Sequence, residues 1–152
     1  MDTVETVRNL YLLRALPNSG KTTVGRILAG EHCYAGDDFW YKRMAETGLT
    51  YPEVFDVNLL RQAHRECQEN VKAAMELGVE NIAVANTNIT PKEMVPYEQL
   101  ATEHGYRVFY LVIERAHNGD NGHKVPPDVL DRMLSKWQWV DDAFHRRFGR
   151  GK

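Results

Sequence analysis

The chain is poor in most of the features that would assign it quickly. It has two cysteines in 152 residues, Cys33 and Cys67, with no C-x-x-C spacing. That excludes a disulfide framework, and the pair reads as two reduced thiols in a reducing compartment. No apolar run approaches the ~20 residues of a membrane span. The opening "MDTVETVRN" has no apolar signal-peptide core and carries early acids, so no export signal and a cytoplasmic location are expected. Neither sign of charge dominates: the formal net charge is −2. Any basic surface for nucleic acid must therefore be local, the best run being "HRRFGRGK" from His145 to Lys152, which taken alone also reads as a solvated terminus. There is no internal repeat and no low-complexity segment. A smaller absence matters more: in "ALPNSGKTT" one glycine is missing from the pattern G-x-x-x-x-G-K-[ST], because Ala15 stands first.

What is present is ordinary globular material, with 43% hydrophobic and 26% charged residues, in a length that suits one domain spanning residues 1–152. Apolar strand-like runs alternate with helical patterns. Strands are expected over Asn9–Ala15, Cys33–Ala35, Ile82–Ala85 and Tyr106–Glu114. Helices are expected from Lys21, over "VNLLRQAHRECQENVKAAMELG", from Pro91 to about His104, and from Asp128 to about Phe148. Thr90, Pro91 and Glu93 read as an N-cap, a first helical residue and a capping-box partner. The polar, aromatic stretch "FWYKRMAETGLTYPEVFD" gives no clear period. Strands separated by helices need crossover connections, so the expected architecture is α/β: a three-layer sandwich of a small parallel sheet with helices on both faces. Ligands of such sheets sit beyond the carboxyl ends of the strands.

The residues with chemistry follow strands. After the first, Asn18, Ser19, Gly20, Lys21, Thr22 and Thr23 form a turn of N–H groups running into a helix N-terminus, a cradle for phosphate oxygens. Lys21 is expected to stand exposed and reach the outer phosphates; the Thr22 hydroxyl can ligate Mg²⁺. Ala15 lies at the strand end, outside the cradle, and harms it only if the backbone there needs positive φ. After the second strand come Asp37 and Asp38, whose carboxylates can accept a proton or help hold a metal, or alternatively cap a helix. Phe39, Trp40, Tyr41, Lys42 and Arg43 follow; aromatics interleaved with cations can stack on a base and touch phosphate, or pack in a core. After the third strand, Asn86, Thr87 and Asn88 can position substrate or form a polar turn. The loop "ERAHNGDNGHKVPP" follows the fourth strand, with Arg115 its one arginine, His123 and Lys124 nearby and Arg132 one turn into the next helix.

In order, "LPNSGKTT", "GDDFW", "ANTN" and "HKVPPDVLDRM" resemble the P-loop kinases related to phage polynucleotide kinase, from about Leu10 to Trp137. The family's fold is a small parallel sheet sandwiched by helices, with an arginine-bearing lid. The resemblance implies an ATP- and Mg²⁺-dependent kinase that phosphorylates a polynucleotide hydroxyl, either a 5′-OH or a base hydroxymethyl group such as 5-hydroxymethyluracil in DNA. It implies nucleic acid, DNA ahead of RNA, as the acceptor, with no membrane and no obligate protein partner. It makes Asp37 the general base and, with Thr22, a metal-site residue, and it makes Arg115 the lid cation. Asp38, Trp40, Arg43, Asn86, Thr87 and Asn88 become acceptor-binding candidates. Two departures stand out: Ala85, where some relatives carry an acid, and Trp40, where polynucleotide kinases usually show an arginine. A nucleoside or metabolite kinase is the rival reading. A nucleotide-binding module with decayed catalysis is a third.

Overall fold

The computed structural model describes residues 6–17, 19–114 and 125–138. Asn18, Arg115, His123, Lys124, Trp139 and the basic tail from His145 lie outside the described residues. Among the described residues four strands, β1 (Asn9–Arg14), β2 (Cys33–Tyr34), β3 (Asn81–Val84) and β4 (Arg107–Val112), form one parallel sheet in the order β2-β3-β1-β4. β1, β2 and β4 lie within the ranges their apolar runs predict and are a residue or more shorter, whereas β3 has the expected length and sits one residue earlier than Ile82–Ala85.

Side chains alternate across a strand, so neighbouring strands in register sort their residues onto two faces. Leu10 pairs with Ile82 and Val108, and Leu12 with Val84 and Tyr110. This face is covered by α4 (Leu60–Glu76) and α5 (Pro91–His104), whose Cys67, Val71, Ala74, Met75, Met94, Tyr97 and Ala101 complete the main core. The opposite face carries Leu13 and Ala83, against which α1 (Lys21–Ala29) packs through Gly25. A Cβ added at Gly25 would stand 2.5 Å from the Cys33 Sγ, so the glycine sets how closely α1 approaches the sheet. The three-layer arrangement expected from the alternation of strands and helices is the one observed.

The stretch after the double Asp, which shows no clear period in the sequence, is helical. It forms α2 (Asp38–Thr47) and a single-turn α3 (Tyr51–Val54), followed by a 3-10 turn, Val57–Leu59, leading into α4. The α3 start is fixed locally: the Thr50 N–H donates to the Glu53 carboxylate at 2.9 Å, with Pro52 in the first turn. These pieces enclose a second cluster of Phe39, Trp40, Val54 and Ala63. At the start of α5 the anticipated capping box is present, the Thr90 N–H donating to Glu93 at 2.8 Å.

The last described helix, α6 (Pro127–Ser135), ends well short of the expected Phe148. The chain is drawn away from the helix axis at Gln138, whose N–H donates to the Ile89 carbonyl at 3.0 Å and whose carbonyl accepts from Arg14. Among the described residues no helix is long and apolar enough to cross a membrane.

Candidate active site

The loop between β1 and α1 opens at Ala15, which is buried and keeps the β1 backbone tied to the segment after β3: its N–H donates to the Thr87 carbonyl at 3.1 Å. Among the described residues Asn88 is the one non-glycine with positive φ, so Ala15 needs no glycine geometry. The glycine that is required is Gly20, at φ 92°, where the chain turns into α1. The first turn of α1 holds no acid. Its N–H groups have no acceptor within the helix and, with the helix dipole, favour an anion.

Lys21 does not stand free in solvent. Its ammonium folds back over the loop and donates to the Leu16 carbonyl at 3.1 Å, with the Ala15 carbonyl at 3.5 Å. Burial pushes its pKa down to about 8, against the opposing pull of the Asp37 charge. Among the described residues its hydrogen-bond acceptors are neutral carbonyls, and a partly desolvated ammonium so held is poised for an anion that can replace them. Thr22 and Thr23 are exposed beside it, and Ser19 is buried.

The two acids after β2 are turned differently. The Asp38 carboxylate bends back to accept the Ala35 N–H at 2.9 Å, and so closes the turn. Desolvation first, opposed by that hydrogen bond and reinforced by Asp37, raises its pKa. Asp37, at the N-cap of α2, makes no capping bond; it accepts the Tyr51 hydroxyl at 2.8 Å and acts electrostatically on Lys21. Of the pair, it is Asp37 whose charge favours the Lys21 ammonium. The arrangement comes from parallel pairing, because β1 and β2 both flank β3 and so deliver their loops to the same, carboxyl end of the sheet.

Three of the acceptor-binding candidates occupy structural positions. Trp40 is 2% exposed, edge-on to Phe39 at 4.7 Å and against Phe55 at 5.0 Å, which leaves no ring face for a base. Asn88 is 2% exposed; its side chain donates to the Leu13 carbonyl at 2.7 Å and its backbone takes φ 47°, a conformation asparagine tolerates. Asn86 accepts the Gly36 N–H at 2.8 Å and points its amide nitrogen at the Tyr97 hydroxyl, 3.4 Å away. It thus ties the acidic turn to the end of β3. Thr87 is half-buried, with its carbonyl engaged by Ala15. Arg43 is half-buried over the Phe39 ring at 5.8 Å, and Lys42 is exposed. Arg132 is exposed and pairs with Asp128 at 3.5 Å.

One important residue carries no signal in the sequence. Arg14 ends β1 and is fully buried. Its Nε donates to the Asn88 carbonyl at 2.8 Å and its Nη2 to Ile89 at 2.9 Å and to Gln138, while Trp137 stacks on the guanidinium at 4.6 Å. An arginine within an apolar strand reads as an edge residue. Here it clamps the loop after β3, and with it the side of the site, to the segment after α6.

Comparison with solved structures places this arrangement. A candidate kinase from Chloroflexus aurantiacus superposes with a TM-score of 0.58 at 14% identity, over 88% of this chain and 80% of that one. Shikimate kinase from Acinetobacter baumannii, in complex with shikimate, superposes with a TM-score of 0.53 at 21% identity, over 94% and 80%. The fold is the P-loop kinase fold. Among curated proteins the chain is similar to human NEDD4-binding protein 2, 34% identical over 140 residues. That match takes in 85% of this chain and only 8% of the length of the human protein. No family model matches.

The loop that Lys21 covers presents the N–H groups of a helix N-terminus and an ammonium, donors suited to phosphate oxygens. Mg²⁺ in such sites takes one or two carboxylates with substrate phosphates and water, rather than an all-protein cage. The donors here fit that sparse pattern: the exposed Thr22 hydroxyl and Asp37. Among the described residues there is no cluster of three or more acidic, His or Cys ligands.

Proposed function

We propose that the chain transfers the γ-phosphate of ATP to a hydroxyl of a polynucleotide, a 5′-OH or a base hydroxymethyl group. The observation that carries this reading is that the loops after β1 and β2 meet at the carboxyl end of the sheet, the Lys21 ammonium folded over the first and the Asp37 charge acting on it from the second. Lys21 exchanges its carbonyl partners for phosphate oxygens and holds charge that builds on the transferred group. Asp37 takes the proton of the attacking hydroxyl as the new O–P bond forms and the bond to the ADP leaving group breaks. Tyr51 holds Asp37 in place by its hydrogen bond. Thr22 and Asp37 would hold Mg²⁺, which when bound would supply countercharge for the phosphates. Arg115 is the proposed lid cation.

A polynucleotide acceptor is supported by the order of motifs, from "LPNSGKTT" through "GDDFW" and "ANTN" to "HKVPPDVLDRM". A metabolite kinase remains the second reading, favoured by the net charge of −2. Decayed catalysis loses one of its supports, since Ala15 adopts no positive φ. The test is a screen with radiolabelled ATP over 5′-OH DNA, 5′-OH RNA, hydroxymethylated duplex and free nucleosides. Label on the polynucleotides supports the reading; label on nucleosides alone promotes the metabolite kinase.

A further inference from the structure

His64 belongs to none of the motifs read from the sequence, and the structure sets it on the acidic turn. It lies in the first half of α4, between Ala63, which joins the Trp40 cluster, and Cys67 in the main core. Its ring leans over Gly36: a Cβ built there would stand 3.4 Å from the His64 Nδ1, 3.5 Å from its Cε1 and 3.6 Å from the Asn86 Oδ1. Gly36 precedes Asp37, so the ring edge lies within about 9 Å of the Asp37 Cα. His64 is nonetheless exposed, and among the described residues no hydrogen bond or ion pair holds its ring. Gly36 has no positive φ, and an added methyl would meet only ordinary contacts, so neither backbone nor packing asks for a glycine there. A close approach by a ligand does.

In-line transfer fixes which side of the site the acceptor occupies, because the attacking and leaving oxygens stand on opposite sides of the phosphorus. With the donor at the loop after β1 and the base after β2, the body of the acceptor extends away from β1, toward the β2 edge where α4 packs. A polynucleotide whose hydroxyl meets Asp37 brings a phosphate anion close behind that hydroxyl. The turn it meets carries two carboxylates, Asp37 and Asp38, of the same sign, so the phosphate needs a donor to offset them. An imidazole offers an N–H whether neutral or charged, and the His64 ring stands at this turn with no other partner among the described residues. We propose that His64 binds the acceptor, its imidazole donating a hydrogen bond to the phosphate nearest the reacting hydroxyl. The proposal rests on the kinase reading above and names the part of the acceptor that this side chain recognises.

The test compares two 5′-OH oligonucleotides, one natural and one whose first internucleotide linkage is an uncharged methylphosphonate. A hydrogen bond to a charged group corresponds to about 10- to 100-fold in affinity. His64→Ala is expected to raise the KM for the natural strand by a factor in that range. The KM for ATP and the urea midpoint should stay as in the wild type, since the side chain is exposed. The methylphosphonate strand is expected to lose a similar factor with the wild type and nothing further with His64→Ala, the coupling that a direct contact requires. His64→Gln keeps an N–H donor and is expected to recover part of the loss on the natural strand alone. Equal use of the two strands by the wild type, or an equal loss on both from His64→Ala, overturns the His64 contact and leaves the kinase reading standing. If the wild type labels neither strand, the kinase reading falls for 5′-OH acceptors, and fluorescence anisotropy with the same two strands decides the contact. A preference for the charged linkage that His64→Ala abolishes supports it; a preference that survives the substitution, or none, overturns it.

Discussion

Replacing Lys21 with methionine should stabilise the protein while abolishing its chemistry. The Lys21 ammonium is partly buried, and its pKa falls from 10.5 to about 8, desolvation outweighing the pull of Asp37. At about 1.4 kcal/mol per pH unit, carrying that charge costs the folded state about 3 kcal/mol at neutral pH. Methionine keeps most of the volume and removes the charge. It also loses the donation to Leu16 at 3.1 Å, a charge-assisted bond worth about 1.5 kcal/mol. The net expectation is a gain of about 1–2 kcal/mol, or roughly 3–6 °C in Tm for a chain of this size. The sign with pH follows from the depressed pKa. Between about 8 and 10.5 the folded wild type has released a proton that its unfolded chain still holds, so wild-type stability rises with pH in that window. The advantage of the variant is therefore constant below about pH 8 and disappears between 8 and 10.5. Urea denaturation of both proteins at pH 7, 9 and 10.5 measures it. A variant less stable than wild type at pH 7, or a difference that ignores pH, refutes the reasoning.

Two other substitutions test the frame around the site. Asn88→Ala loses the donation to the Leu13 carbonyl in a buried place and puts alanine at φ 47°, so a loss of about 2 kcal/mol is expected by chemical denaturation. Asn88→Gly should lose less, since glycine accepts the backbone conformation; equal losses would show that the backbone contributes nothing. Gly25→Ala brings a Cβ to 2.5 Å from Cys33 Sγ and 3.2 Å from Leu13, and should cost about 1–3 kcal/mol. The companion change Cys33→Ala should restore part of that loss, and a purely additive double variant contradicts the proposed contact.

The legible parts of this fold were those decided by neighbours in sequence. Thr90, Pro91 and Glu93 specify a helix start with their own side chains, and Gly20-Lys21-Thr22 specify a loop by conformation and charge. The parallel sheet followed from apolar runs separated by helical ones. What stayed hidden depends on partners far along the chain. Arg14 is a clamp only because the segments around Asn88 and Gln138 come to it. Trp40 is core only because Val54 and Ala63, from α3 and α4, close over it. Asn86 and Asn88 are polar residues after a strand, a pattern shared by substrate ligands and buried braces; Asn88 is buried with its side chain bonded to Leu13, while Asn86 is half-buried and bonded to Gly36. The α2–α3 stretch lacked a clear period because its apolar side chains divide between a buried cluster and an exposed aromatic surface.

The central claim is that this P-loop kinase fold moves phosphate to a hydroxyl with Asp37 as the base. Single-turnover transfer from radiolabelled ATP to a 5′-OH oligonucleotide, compared among wild type, Asp37→Asn and Asp38→Asn, tests it directly. Asp37→Asn should retain ATP binding and lose about 10²–10⁴-fold in the transfer rate, the usual worth of a general base. Asp38→Asn, which disturbs only the turn closed at Ala35, should lose far less. A wild type that transfers no label to the oligonucleotide, or an Asp38 variant slower than the Asp37 variant, contradicts the account.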